Sequence, residues 1–379
     1  MKLNRNLALV SLALVIWGIG EGMFLYFQPL YMQELGADPV LIGTILGGVG
    51  LLMTLAYLPA GYLSDHIGRR PMLIAAWLMG TLSTGLMALA DSLPVFVVGS
   101  ALYGMTSFVV VPLGSYVTAG RGMMTVARAL TLISATYNVG AILGPLLGGW
   151  IGEIMGLKRT FSIAFLLFVL STLVILFIQS QPIERRDPVA KGSRVSQVLT
   201  PVFMRYLAVV FIAIFAMYLS QPLSQNFLQN ERGLTLSQIG QLISLRSLGI
   251  VTFNLLLGQL SVRWGFLLAQ GSMLIFNLFI WLGTSLASYR IGYFFLGSFQ
   301  TSRSLATAQG RPLLSGANMG VGYGLIETVG ASGLILAPPI AGYLYSTNPE
   351  SIYPAAIVLI LVAIVITALF TPRQVKELG

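Results

Sequence analysis

Cysteine is absent from the 379 residues, and histidine occurs once, as His66. Without thiols the chain has no disulfide, no thiolate nucleophile and no thiolate metal site, and a single imidazole builds no ligand cluster. Charge is scarce too. Asp, Glu, Lys and Arg make up 9% of the residues, against about 25% in an ordinary soluble domain. No Gly-x4-Gly-Lys-Ser/Thr phosphate loop occurs, so nothing marks an ATP-driven motor. These absences exclude a water-soluble catalytic domain and leave no implied cofactor or metal.

What the chain has is apolar surface. Hydrophobic residues make up 56% of it and the mean hydropathy is +0.85, which places it inside a bilayer. Twelve apolar stretches lie at about 7 to 32, 39 to 63, 71 to 90, 93 to 118, 127 to 150, 160 to 180, 203 to 228, 236 to 261, 266 to 287, 290 to 309, 318 to 345 and 351 to 371. Each is long enough for a membrane-crossing helix, and a helix satisfies its own backbone in lipid, so the expected fold class is all-α integral membrane. The opening Met1-Lys-Leu-Asn-Arg5 imitates a signal peptide. The apolar run after it is too long and shows no small-residue cleavage site, so it reads as the first helix.

The net charge of +9 records topology rather than nucleic-acid binding. With a cytoplasmic N-terminus, fifteen Lys and Arg residues lie inside, including Lys2, Arg5, Arg69, Arg70, Arg185, Arg186 and Arg373. Only Lys158, Arg159, Arg232 and Arg290 lie outside. This positive-inside bias predicts a multi-pass protein of the plasma membrane with both termini cytoplasmic.

One long polar stretch, from Gln181-Pro-Ile-Glu-Arg-Arg-Asp-Pro188 to Thr200, divides the spans six and six. The expected domains are therefore 1–180, a cytoplasmic linker at 181–202, and 203–379. The halves repeat. Gln28-Pro29-Leu30 recurs as Gln221-Pro222-Leu223, offset by 193. Gly61-x-Leu63-Ser64 with Gly68 recurs as Gly258-x-Leu260-Ser261 with Gly265, offset by 197. Gly140-x3-Gly144-Pro145-x2-Gly148-Gly149 recurs as Gly333-x3-Ala337-Pro338-x2-Ala341-Gly342, again offset by 193. A duplicated six-helix unit with a small insertion accounts for all three, and parallel repeats are a transporter architecture.

The turn Gly61-Tyr-Leu-Ser-Asp65-His-Ile-Gly68-Arg69-Arg70-Pro-Met-Leu73 sits between the second and third spans. It resembles motif A of the major facilitator superfamily, and Gly140 to Gly149 resembles that superfamily's helix 5 motif of drug and proton antiporters. The likeness covers essentially the whole chain and is nearest in motifs to the 12-helix drug:proton antiporter members. It implies two pseudo-symmetric six-helix bundles around a central cavity, a monomer, and rocking between inward and outward access. It also implies that Asp65 closes the cytoplasmic side against the start of the eleventh helix, near Ser315, Gly316 and Asn318, with Arg69 and Arg70 holding the turn. Gly140, Gly144, Pro145, Gly148 and Gly149 also read as a small-residue face with a proline kink. Three features depart from the family pattern. Ser100 stands where motif B has its arginine, Val262 stands where the second motif A copy would carry an acid, and the cytoplasmic end of the fourth span, Pro112 to Gly120, has no acid.

Four ionisable side chains fall inside apolar spans: Glu21, Arg246, Arg303 and Glu327. Each is costly in lipid, so each should face the protein interior as a proton or substrate site, or as a fixed pair tying helices together. Polar and aromatic side chains share faces with them. Trp17, Glu21, Phe24 and Gln28 align on the first span, and Thr131, Ser134 and Asn138 on the fifth. Tyr218, Gln221 and Gln225 align on the seventh span, and Phe299, Gln300, Arg303 and Thr307 on the tenth. Aromatics mixed with a few polar groups suit a partly apolar small organic substrate. The expected function is secondary transport, proton-coupled efflux leading over a sugar or metabolite symporter or facilitator. A transporter-like sensor is the alternative from another class.

Overall fold

The computed structural model of the protein describes residues 4–181, 198–314 and 319–371, apart from the side chains at 58–62, 64, 65, 127 and 320. Most of the expected linker, residues 182–197, lies outside this set. Among the described residues the structure is helical, without strands. The helices are α1 (Arg5–Phe24), α2 (Gln28–Glu34), α3 (Pro39–Ile67), α4 (Arg69–Leu89), α5 (Leu93–Met105), α6 (Val110–Ala119), α7 (Val126–Met155), α8 (Leu157–Ile175), α9 (Pro201–Tyr218) and α10 (Ser224–Asn230). There follow α11 (Leu236–Leu257), α12 (Val262–Trp281), α13 (Leu286–Leu296), α14 (Ser298–Gly310), α15 (Met319–Thr347) and α16 (Ile352–Phe370).

Local chemistry sets these boundaries. The side chains of Asn4, Thr125 and Thr200 accept backbone N–H bonds at the starts of α1, α7 and α9. Gly68 turns at φ 98 between α3 and α4, a conformation that favours glycine. Proline breaks the first and seventh spans at matching places. Pro29 clashes with the carbonyl four residues back, at Leu25, where the short 3-10 turn Leu25–Phe27 begins. Pro222 stands in the same relation to Tyr218, where α9 ends.

Among the described residues, eleven helical stretches are long and apolar enough to cross a membrane. The tenth expected span, at 290 to 309, is divided into α13 and α14 at Gly297. A side chain on Gly297 would run into the backbone of Gly249 and Ile250 of α11, so the break and the close approach share one residue. Large apolar side chains such as Leu89, Leu166, Leu255 and Leu369 point outward, as acyl chains require.

By contacts the chain forms two compact units. The first comprises Met1–Asp38, Gly48–Arg186 and Leu228–Ser244, and the second Pro39–Gly47, Asp187–Phe227 and Leu245–Gly379. Each unit thus takes the opening turns of one helix from the other half of the sequence. In the first unit Gly149 packs on Leu236, and Gly240 on the Pro145 carbonyl. In the second, Gly342 packs on Pro39, and Gly43 on the Pro338 carbonyl. Each residue of the first set maps on its counterpart by the 193 or 197 offset read in the sequence.

The core of the first unit is aromatic. Phe24 meets Tyr103 edge-on at 4.9 Å, and Phe161 stands perpendicular to Phe96 at 5.2 Å. In lipid no hydrophobic force draws helices together, so such contacts and interhelical hydrogen bonds hold the bundle. Trp77 Nε1 donates to Ser171 Oγ at 2.8 Å, and Ser171 Oγ donates to the Ala13 carbonyl at 2.7 Å, which ties α4, α8 and α1 together.

Candidate functional site

A cavity of about 510 Å³ opens inside the first unit. Its wall comes from α1 (Trp17, Glu21), the middle of α3 (Met53, Tyr57), α4 (Trp77), the segment from Ser100 to Val117, and α7 (Ser134, Tyr137). The volume falls in the range of small-molecule sites, about 300–1,000 Å³, and the wall is mostly apolar with a few polar groups, as such sites require.

Among the described residues Glu21 is the only carboxylate on this wall, and no Lys, Arg or His lines it. Tyr137 Oη donates to Glu21 Oε2 at 2.7 Å, and the Tyr103 hydroxyl and Trp17 indole, also hydrogen-bond donors, belong to the same wall. The donors are neutral. An ionised carboxylate here is hydrogen-bonded by neutral groups, with no cation among the described residues of the wall. Around it the rings are fixed: Trp17 lies 4.2 Å from Phe168 and 5.0 Å from Trp77, centroid to centroid.

The other expected cavity residues are distributed as follows. Gln28 is buried on the cavity wall, with its amide 3.9 Å from the Met87 sulfur. Phe24 is buried behind Tyr103 rather than on the wall. Asn138 is half-buried and donates to the Ser134 carbonyl at 2.8 Å, one turn back on its own helix. In the second unit Tyr218 stacks on Phe299 at 5.5 Å. Gln221 donates to the Met217 carbonyl at 2.9 Å, Gln225 accepts from Ser224, and Gln300 is exposed.

The two intramembrane arginines part company. Arg303 Nη2 meets Glu327 Oε2 at 3.2 Å, and Thr307 Oγ1 donates to Glu327 Oε1 at 2.9 Å. The pocket beside them holds about 10 Å³, roughly one water. Arg246 instead places its charge near Tyr293, whose hydroxyl lies 3.1 Å from Ser224 Oγ. Tyr137 and Tyr103, both in contact with Glu21, were not among the expected residues. Tyr137 was findable: it follows Ser134 by three residues, on the face that the helical period marks.

At the motif A turn, Arg69 donates to Gln181 Oε1 at 3.5 Å and Arg70 to the Leu176 carbonyl at 3.2 Å, so the two guanidinium groups hold the end of α8 and the segment that follows it. The Gly61 and Asp65 side-chain positions, and residues 315–318, lie outside the described residues. The helix 5 glycines form a seam. Gly140 lies against Val15 and Ile19, Gly144 and Pro145 against Gly22, and Gly148 against Met23, all on α1.

The Major Facilitator Superfamily profile matches residues 10–299 and 206–379, which together reach over nearly the whole chain. The chain belongs to the Major Facilitator Superfamily. Among its relatives, Multidrug resistance protein 2 of Bacillus subtilis (strain 168) is 23% identical over 347 residues, 87% of this chain and 86% of that protein. An uncharacterized MFS-type transporter of Methanocaldococcus jannaschii is 25% identical over 174 residues, 46% of this chain, and this match spans less than half of that protein, 45%. A crystal structure of the nucleoside transporter NupG carrying one substitution superposes with a TM-score of 0.80, covering 97% of this chain and 99% of that one. At 12% identity this likeness speaks for the fold alone. Superfamily membership makes the protein a multi-pass membrane transporter of small-molecule solutes and not an enzyme.

Proposed function

We propose that this protein is a proton-coupled exporter of partly apolar organic cations in the plasma membrane, acting as a monomer with both termini cytoplasmic. The observation that carries this reading is Glu21, among the described residues the one carboxylate on a wall of aromatic rings and neutral donors. A cation with apolar arms gains the carboxylate's charge and the faces of Trp17, Trp77 and Tyr103 together. A proton competes for the same oxygens. Loading the cation on ionised Glu21 from the cytoplasm and displacing it with a proton on the outer side exchanges one positive charge for another. Such a cycle is driven by a pH difference and not by membrane potential. The similarity to a multidrug resistance protein supports the direction, and the basic cytoplasmic loops support the orientation.

The test is tetraphenylphosphonium flux in proteoliposomes under an imposed pH difference, with the membrane potential clamped by valinomycin and potassium. Accumulation driven by pH and unmoved by potential is expected. Uridine transport in its place would overturn the reading.

A second expectation concerns the gate. With Arg69 and Arg70 anchored on α8, Asp65 is the residue of the turn proposed to meet the unpaired amides at the start of α15. Asp65→Asn should shift the population toward inward access and slow transport several-fold while substrate affinity changes little. Labelling of cysteines introduced at cavity positions reads the shift. Equal labelling in both proteins would remove this role.

A further inference from the structure

Resting on that reading of the cavity, we propose that Gly80 of α4 is a specificity-determining residue. It receives the edge of the Trp17 ring and so sets how large a cationic head can reach Glu21.

Trp17 is 7% exposed and forms the cavity wall beside Glu21. The far edge of its indole lies over Gly80. A methyl group at that position would stand 2.8 Å from Trp17 Cζ3 and 3.1 Å from Cζ2, with Cη2 closer still. No such contact is tolerated, so any side chain at residue 80 moves the ring. The other directions are blocked. Phe168, 4.2 Å from Trp17, is itself seated on Gly20 of α1, where a methyl group would come within 2.9 Å of it. Trp77, 5.0 Å away, is held by its hydrogen bond to Ser171. The space left for a displaced indole is the cavity.

The displacement lands where it affects recognition. Trp17 and Glu21 are one turn apart on α1 and line the same cavity. A ring pushed inward narrows the approach to the carboxylate for a bulky cation and leaves room for a compact one. Alanine favours a helix over glycine, so Gly80→Ala adds no backbone penalty of its own. Its effect isolates the ring.

Equilibrium binding of tetraphenylphosphonium and of tetraethylammonium to purified Gly80→Ala, Trp17→Phe and the double variant tests this. Gly80→Ala should weaken tetraphenylphosphonium at least about tenfold and tetraethylammonium by far less, as expected of a pocket that discriminates by size. Trp17→Phe, which lacks the ring atoms that meet residue 80, should restore tetraphenylphosphonium binding in the presence of Gly80→Ala. Equal losses for both probes, or a loss that Trp17→Phe does not relieve, would overturn the proposal.

A ligand-free readout separates this from the cation reading. In a protein with Trp150, Trp264 and Trp281 replaced by Phe, Gly80→Ala should raise acrylamide quenching of the component that Trp17→Phe removes. If the unaltered protein binds neither cation, the cation reading fails and quenching alone decides the ring's displacement; unchanged quenching sinks it. Should Gly80→Ala fail to fold, folding of the double variant at normal yield supports the clash, and its failure overturns it.

Discussion

Glu21→Gln is expected to abolish accumulation of tetraphenylphosphonium driven by a pH difference, and to leave the residual binding of the cation independent of pH. Glutamine keeps an oxygen within reach of the Tyr137 hydroxyl, which now donates to Glu21 at 2.7 Å, so the local packing survives while the charge and the exchangeable proton are lost. Both legs of the proposed exchange use that charge. The rival acid is Glu327, and two magnitudes decide between them. Glu21 borders about 510 Å³ of cavity with no cation on the wall, whereas Glu327 already meets Arg303 at 3.2 Å beside a pocket of about 10 Å³. The side chains of Arg303 and Glu327 are 31% and 53% exposed, so Glu327→Gln should cost little stability and alter coupling less than Glu21→Gln does. Measured at equal protein levels, unchanged pH-driven flux in Glu21→Gln would defeat the assignment and move it to Glu327.

The architecture was legible because the bilayer restricts the options to one type of element and one length. Apolar runs and the offsets of 193 and 197 therefore carried most of the fold. The same offsets also related contacts that composition could not announce, Gly149 on Leu236 and Gly342 on Pro39. The break of the tenth span was not legible, because Gly297 reads as one more glycine in an apolar run. Only its approach to Gly249 shows why the helix divides there. Within the site, helical period identified the face on which Trp17, Glu21 and Gln28 lie but not the neighbour across from it. That neighbour depends on helix rotation and depth, and a spacing of three or four residues does not encode them. Hence Arg303 rather than Arg246 faces Glu327, and Phe24, on the expected face, is covered by the ring of Tyr103.

The seam between α1 and α7 should be the least forgiving packing surface in the protein. Gly144→Ala is expected to lower the thermal unfolding temperature in detergent by several degrees, and Gly144→Leu to prevent recovery of folded protein. A methyl group at Gly144 would lie 2.7 Å from Gly22 Cα and 2.9 Å from its carbonyl carbon, against backbone that no rotamer change can move. Overpacking of this kind costs about 1–3 kcal/mol where side chains can adjust, and more where they cannot. The repeat supplies an internal control. The positions equivalent to Gly144 and Gly148 hold Ala337 and Ala341, both fully buried, so the second half accommodates the very methyl groups that the first excludes. Its seam is correspondingly looser: a methyl on Gly333 would find its nearest atom 3.1 Å away, whereas on the equivalent Gly140 it would come within 2.5 Å of the Val15 carbonyl oxygen. The tighter seam also sets the site. Gly18 of α1 lies against the Tyr137 carbonyl, one turn from Glu21, so the distance between α1 and α7 fixes the bond from Tyr137 to Glu21. Gly144→Ala should therefore weaken cation binding along with stability, while Gly114→Ala, on the cavity wall with nothing within 4 Å, should change neither. An unfolding temperature unmoved by Gly144→Ala would mean that the helices can separate by a methyl's width without cost, and the seam would then not be what holds Glu21 in place.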